Sequence, residues 1–384
     1  MKSAFALSGL LAAALVASTA VNAQTTLNVA TAGDQNMVDY INEYLGPMFE
    51  KQNPGVKVRA VGTGAGDAGS QKVFERLDAQ AKANAPQWDV DVAVVHQKIT
   101  GKLVTDKLLA NYRSTIETAP LVTNANAKAA LGTPVEGYVM PMFNSQTAIA
   151  YNPDIVKNPP ATYDELVEWV KKNPKQFGYN GIKGGMSGVS FVMGWMYAYG
   201  PDAKKLENGP FEADLVKSAG WTDAMGKLKE FNKNVTFTPG NAGTLDMLNR
   251  GEIAMGPVWV DMFYSWKTEG RLNPSMKLKL VGPGMPGQPM YYVVPAKAAN
   301  ADLAKKFVAL ATSPAVQAEG VVKRFNWYPG IDAKHVQANL DAATWQKLFT
   351  DVTPEELATK GRSFPVGPYF DAILESYERQ GASN

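Results

Sequence analysis

Beyond residue 24 the chain alternates short β-type runs with amphipathic helical stretches, and this order constrains the fold more than any other feature, since a parallel sheet covered by helices on both faces requires it. Residues 27–31 read as a first strand. Met37, Ile41, Tyr44, Leu45 and Met48 recur at helical spacing, with Gly46-Pro47 expected to kink or divide that helix. Residues 56–61 read as a second strand, 70–82 as a second helix, and 90–95, nearly all apolar, as a third and buried strand.

The middle of the chain breaks this rhythm. Residues 139–151 run extended through Pro141 and Asn144 and close on the turn Tyr151-Asn152-Pro153, where a first passage between two lobes is expected. Thr162-Tyr163-Asp164-Glu165 opens a helix as a capping box, and Asn173-Pro174 stops it. Residues 282–289 are too rich in Gly and Pro for either element, so the chain is expected to recross there, ahead of a short strand at 291–294. A third crossing is expected at 326–330, and Thr353-Pro354-Glu355-Glu356 caps a late helix.

Lys2 is followed by an Ala/Leu-rich apolar run that ends at Val21-Asn22-Ala23, the pattern of an export signal cleaved after Ala23. Removing the first 23 of 384 residues leaves 361, more than one core usually serves, so two lobes are the default. The chain has no cysteine, so its fold rests on burial alone, and it has no acylated cysteine to tether it. Its 38 basic and 36 acidic residues are intermixed, which excludes a nucleic-acid partner.

Five segments carry a family resemblance: Phe49-Glu50-Lys51-Gln52-Asn53-Pro54-Gly55-Val56-Lys57-Val58, Ala148-Ile149-Ala150-Tyr151-Asn152-Pro153-Asp154, Pro160-Ala161-Thr162-Tyr163-Asp164-Glu165-Leu166, Gly251-Glu252-Ile253-Ala254-Met255-Gly256, and Ala304-Lys305-Lys306-Phe307-Val308 with Ser313-Pro314. In this order the sequence resembles the family 1 extracellular solute-binding proteins of ABC importers. The resemblance implies an α/β, two-lobed periplasmic-binding-protein fold of type II, each lobe a mixed, mostly parallel sheet flanked by helices, with a hinge of crossing strands. With the crossings above, residues 24–143 plus 288–327 form the N-terminal lobe and 144–287 plus 328–384 the C-terminal lobe. It further implies a small-molecule solute held between the lobes and delivered to an ABC importer permease in the inner membrane; a monomer without a cofactor is expected, and export without a tethering cysteine suits the periplasm.

Candidate contacts follow from where loops meet such a cleft. Asp34 and Gln35 follow the first strand, although Asp34 also suits a plain N-cap. Gly64-x-Gly66-x-x-Gly69, with Asp89 twenty residues on, has the form of a dinucleotide fingerprint, but it follows the second strand rather than the first. A polar loop or a tight turn is the better reading of Gly64 and Gly66. His96 ends the third strand and is carried as a contact, although a lone histidine is more often satisfied in the core. Asn144 and Gln146 lie on the crossing strand, and Ser187 and Ser190 open a helical stretch whose N–H groups could meet a ligand. Trp195, Trp259, Tyr291, Trp327 and Tyr328 offer flat rings, and Asp261, two residues from Trp259, would share its face on a strand.

Enzyme chemistry finds little to stand on. His96 and His335 are the only histidines, no metal-ligand spacing or Gly-x-Ser-x-Gly elbow occurs, and Asp89 and Asp91 read as solvated strand-edge residues. Adjacent Tyr291 and Tyr292 would point to opposite sheet faces, against an iron site. A sugar or polyol is the first expectation for the solute, a small organic cation of thiamine or polyamine type the second, and a secreted glycoside-acting enzyme the alternative from another class.

Overall fold

The computed structural model describes residues 24–381 except Asp34 and Ala65; the export signal and its cleavage site, and Asp34, lie outside the described residues. Along the chain the elements that position the site are β1 (Thr25–Ala32), β2 (Val56–Gly64), α1 (Gly66–Lys82), β3 (Val92–His96), α2 (Gln97–Thr105), β4 (Val139–Tyr151), α3 (Tyr163–Lys172), β5 (Gly178–Tyr179), α4 (Met186–Tyr199), β6 (Thr236–Phe237), α5 (Gly240–Asn249), β7 (Met255–Trp259), α6 (Val260–Thr268), β8 (Lys277–Lys279), β9 (Met285–Val293), β10 (Tyr328–Pro329), β11 (Gly361–Arg362) and α7 (Gly367–Ser376).

In the first half of the molecule the strands lie in the order β2-β1-β3-β9-β4. β1 pairs parallel with β2 and β3, as the alternation requires. β4 and β9 run antiparallel to each other because one carries the chain out of this half and the other brings it back. Successive β1 residues split between the two faces, Leu27 and Val29 joining one apolar cluster and Ala30 the other.

β4 is the long element of the hinge. Its residues 139–146 pair with β9, and its residues 147–151 pair with β7. β8 pairs with 149–151 at the same positions, so it must occupy the opposite edge of β4 from β7. β5 and β6 add a parallel pair, joined to β7 by the bridge between Phe177 and Met255. One mixed sheet therefore continues through the hinge into the second lobe.

One local reading changes, and the division expected at Gly46-Pro47 is found. The Gly/Pro-rich stretch does hold a strand, since β9 begins at Met285 and passes through Pro286, Gly287 and Pro289. β3 reaches β9 only at Met290 to Val293, so these prolines lie where that flank has left the central sheet and a missing N–H costs little. At 35–52 the helix is divided, with a π turn at Tyr40–Leu45 and an α-helical restart at Gly46–Gln52 that places Pro47 in its first turn.

The caps form as expected, with one difference. Thr162 accepts from Glu165 N at 3.2 Å, whereas the Glu165 carboxylate takes Ala161 N at 2.7 Å rather than the Thr162 N–H. Thr353 and Glu356 make the reciprocal box. Asp91 is not solvated: it is buried and accepts from Asn28 N and Asn300 N, both at 2.8 Å, tying β1 to a loop far along the chain.

Candidate functional site

A cavity of about 530 Å³ opens beside the hinge. Asn124 and Asn126 come from the loop before β4, Asn144 to Gln146 from β4 itself, Gly287 from β9, Tyr328 from β10, and Arg362 and Ser363 from the end of the chain. Ile331, Phe349 and Leu357 supply apolar surface. The volume suits a small molecule, and the lining mixes apolar area with a few convergent polar groups, as small-molecule sites do.

β4 supplies its polar wall through strand alternation. Asn144, Ser145 and Gln146 all border the cavity, and the alternation turns the Ser145 hydroxyl away from the Asn144 and Gln146 amides, toward Asp261. Asn144 Nδ2 donates to Pro329 O at 2.8 Å, while its Oδ1 is buried and has no hydrogen-bond partner among the described residues. Gln146 Nε2 donates to Met285 O at 2.8 Å, which ties β4 to the start of β9. The Tyr328 ring packs on Phe349 with centroids 5.6 Å apart, and its hydroxyl is likewise buried without a partner among the described residues. Burial holds the Tyr328 phenol far above its ordinary pKa, so it stays protonated. Both atoms are inaccessible, so their residues line the cavity with other atoms, and each carries the cost of a buried polar group without a partner.

Of the two charged residues that line the cavity, Arg362 is paired with a carboxylate and Asp332 meets neutral donors alone among the described residues. Arg362 Nη1 donates to Glu207 at 3.0 Å and its Nε to Pro283 O at 3.2 Å. Asp332 accepts from Thr123 N at 3.0 Å and from Thr123 Oγ1 at 2.6 Å. Ser363 Oγ donates to Asn126 Oδ1 at 2.6 Å, so the end of the chain touches the N-terminal wall directly.

Asp261 lies on the other side of β4. The strand reading that paired it with Trp259 is corrected: β7 ends at Trp259 and α6 begins at Val260, so the two side chains do not share a strand face. Asp261 accepts from Ser145 Oγ at 2.5 Å and is held by the Trp327 side chain. Burial pushes its carboxyl up, opposed by those two hydrogen bonds and by backbone N–H groups of α6. Among the described residues no Lys or Arg pairs with it.

Several candidate rings belong to the core. Trp195 is fully buried and gives its indole N–H to Ala224 O at 2.9 Å, because the whole inner length of α4 is wrapped by apolar neighbours. Tyr291 is fully buried on one sheet face and Tyr292 on the other; Tyr291 OH donates to Asn126 O at 2.5 Å and so supports the cavity from behind. Trp327 is sandwiched between Phe143, at 3.9 Å, and Phe325, at 4.3 Å, so neither face is open to a guest. Trp259 is nearly buried at the end of β7.

The polar candidates away from the cavity are also engaged. Ser187 Oγ donates to Asn241 Oδ1 at 2.8 Å, and Ser190 donates to Pro286 O at 2.9 Å while touching Thr147, so the start of α4 is stitched into its own lobe and the hinge. Gln35 is exposed and bonds Asp39 at 2.8 Å. Gly64 ends β2 at φ +113°, Gly69 packs on its carbonyl, and α1 starts at Gly66, so Gly64 and Gly66 both serve the junction of strand and helix. Asp89 forms an ion pair with Arg76 at 2.6 Å, which removes the acid that a nucleotide ribose would need. His96 is buried at the end of β3, its Nδ1 3.7 Å from Asp67.

Asn124, Asn126, Arg362 and Ser363 escaped the sequence reading. The first two sit in a run of small and polar residues without periodicity, and the last two lie more than two hundred positions away, so no local pattern marks them as neighbours.

Residues 47–332 match the family model of bacterial extracellular solute-binding proteins. Among solved structures, the chain is similar to the Atu4243-GABA receptor, with 19% identity over 93% of this chain and 98% of that one and a TM-score of 0.66. An ABC transporter from Clostridium perfringens gives 18% identity over 92% and 99%, with a TM-score of 0.67. The spermidine/putrescine ABC transporter substrate-binding protein PotD from Streptococcus pneumoniae gives 16% over 93% and 99%, with a TM-score of 0.65. These identities speak for the two-lobed fold alone. No curated protein sequence matches the chain.

Proposed function

The chain belongs to the bacterial extracellular solute-binding proteins, and from that premise we propose that it is the periplasmic capture component of an ABC importer, a monomer that shuts its lobes on a small polar solute at the hinge cavity and presents the closed form to a membrane permease. A solute that touches both walls favours closure by the free energy its second set of contacts adds. The permease then needs only to distinguish closed from open. Among the described residues no helix is long and apolar enough to cross a membrane.

The observation that carries the reading of the solute is the cavity lining, with amide and hydroxyl groups from Asn124, Asn126, Asn144 and Ser363, while Arg362 is already paired with Glu207. Groups that both donate and accept match a hydroxylated neutral solute, and a sugar or polyol is the class we favour. Trp195, Tyr291 and Trp327 are withdrawn into the core, so Tyr328 and Phe349 are the rings left beside the cavity and hydrogen bonds carry most of the recognition.

A second reading has its own support. Asp332 lines the cavity and, among the described residues, is answered only by the N–H and hydroxyl of Thr123, which suits a protonated amine, and GABA and spermidine/putrescine, named for two of the similar structures, carry amines. A glycoside-acting enzyme would need two facing carboxylates, whereas Asp332, the acid lining the cavity, is tied to Thr123.

Thermal unfolding against separate panels of sugars, polyols, polyamines and GABA tests this. One panel member at a hundredfold excess over its Kd should stabilise the protein by about 2.7 kcal/mol without being consumed. Stabilisation by amines alone, weakening with salt, moves the solute to the second reading. Steady loss of a glycoside at unchanged protein would sink the transport reading.

A further inference from the structure

We infer that Arg113 is a positioning residue for solute capture: buried beneath the loop at 119–127, its guanidinium fixes Asn124 and Asn126 as the N-terminal wall of the cavity. This rests on the reading of that cavity as the solute site.

Arg113 is 6% exposed, and its partners are all backbone carbonyls. Nη1 donates to Ala127 O at 3.0 Å and Glu136 O at 3.3 Å; Nη2 donates to Val122 O at 2.6 Å and Ala119 O at 3.4 Å. Among the described residues no carboxylate forms an ion pair with it, and Glu136 and Asp332 act on it only through space. A buried charge without a counter-ion is expensive, and a planar fork that holds four carbonyls gives it an organising task that a point charge cannot perform.

The four carbonyls flank the two asparagines. Val122 and Ala127 bracket Asn124 and Asn126 by a few residues on either side, so fixing their carbonyls fixes the backbone between them. Two further groups close the frame. Asp332 holds Thr123 N and Oγ1, and Tyr291 OH holds Asn126 O. This stretch has no sheet partner of its own, so these side chains replace the ladder that a strand would have.

The frame also dictates what the wall offers. Asn124 Oδ1 accepts from Ala127 N at 3.0 Å, and Asn126 Oδ1 accepts from Ser363 Oγ. Each bond orients its amide, so the N–H groups can donate to a guest that brings acceptors to this side, while each oxygen keeps a second lone pair. Asn144, from β4, adds a third amide to the lining of the same cavity. A polyhydroxylated solute can answer such a set of amides.

The test combines Arg113→Lys with the pair Asn124→Ala and Asn126→Ala, read by thermal stabilisation and titration with D-sorbitol, D-glucose, GABA and putrescine. For whichever compound binds the native protein, Arg113→Lys should weaken Kd about tenfold, the size that outer supporting residues reach at other sites, and this loss should vanish once both asparagines are alanine. If the asparagine pair alone leaves Kd unchanged, the cavity reading is at fault. If the pair weakens binding but Arg113→Lys costs the same with and without it, Arg113 is structural only and the inference falls. Hydrogen exchange needs no solute: Arg113→Lys should raise exchange in residues 114–136 well above that in α3, and an equal rise in both overturns the inference.

Discussion

The two sides of the hinge cavity are built in opposite ways. On β4, Asn144 and Gln146 ride on a strand whose backbone is paired to β9 and β10, so their positions are set by a ladder of bonds that no single side chain controls. Across from them, Asn124 and Asn126 ride on a loop held by one guanidinium, one carboxylate and one phenol. A ladder tolerates side-chain change and confines its effects, whereas a loop hung on a few side chains passes any loss among them to the site it carries.

The largest break in this contrast is Arg113→Met. It leaves four carbonyls without their donor, and a loss on the order of 4 kcal/mol is expected from the cost of unsatisfied buried groups, read as a fall in the urea midpoint. On the strand side, Trp327→Ala removes the middle ring of the Phe143-Trp327-Phe325 stack and should cost about 3–4 kcal/mol by the same measurement. Because the ladder remains, solute affinity measured under folding conditions should fall far less than stability does. The reverse split is expected for Asn144→Ala, which gives up one bond to Pro329 O and about 1 kcal/mol of stability, but should weaken solute binding about tenfold or more in a calorimetric titration.

The smallest effect sharpens the comparison through pH. Burial raises the Asp261 carboxyl in the folded protein, so the native state holds its proton more tightly than the unfolded chain does. Its contribution is therefore most favourable below the unfolded value of about 3.9 and is lost as pH rises through the raised folded value. Asp351, raised by burial too, adds a term of the same sign. Asp261→Asn should flatten part of this dependence and change stability at pH 7 by less than about 1 kcal/mol, provided Ser145 and Trp327 still donate to the amide oxygen. Melting temperatures from pH 3.5 to 7 would expose the difference, and an unchanged profile would mean the carboxyl is better solvated than its contacts imply.

Much of the fold was legible because it is written locally. The strands at 27–31, 56–61 and 90–95, the division at Gly46-Pro47, and the long extended run through 139–151 follow from spacing and from residues that forbid alternatives. The strand at Met285–Val293 was not, because Pro286, Gly287 and Pro289 argue against it locally and only the position of β9 at the flank makes them harmless. Within the site, Asn144, Gln146 and Tyr328 were found as neighbours of the proposed crossings. Asp261 was placed beside Trp259 by a strand that in fact ends at Trp259, two residues before it.

By itself, then, the sequence determined the order of elements, the passage of the chain between two halves, and membership of a solute-binding family, since periodicity, breakers and short segments act over a few residues. Only the tertiary structure decided which rings are buried and which asparagines face the cavity. Tyr291 meets Asn126 across 165 positions and Ser363 meets it across 237, and whether a side chain is packed or free depends on such distant neighbours, which no local pattern encodes.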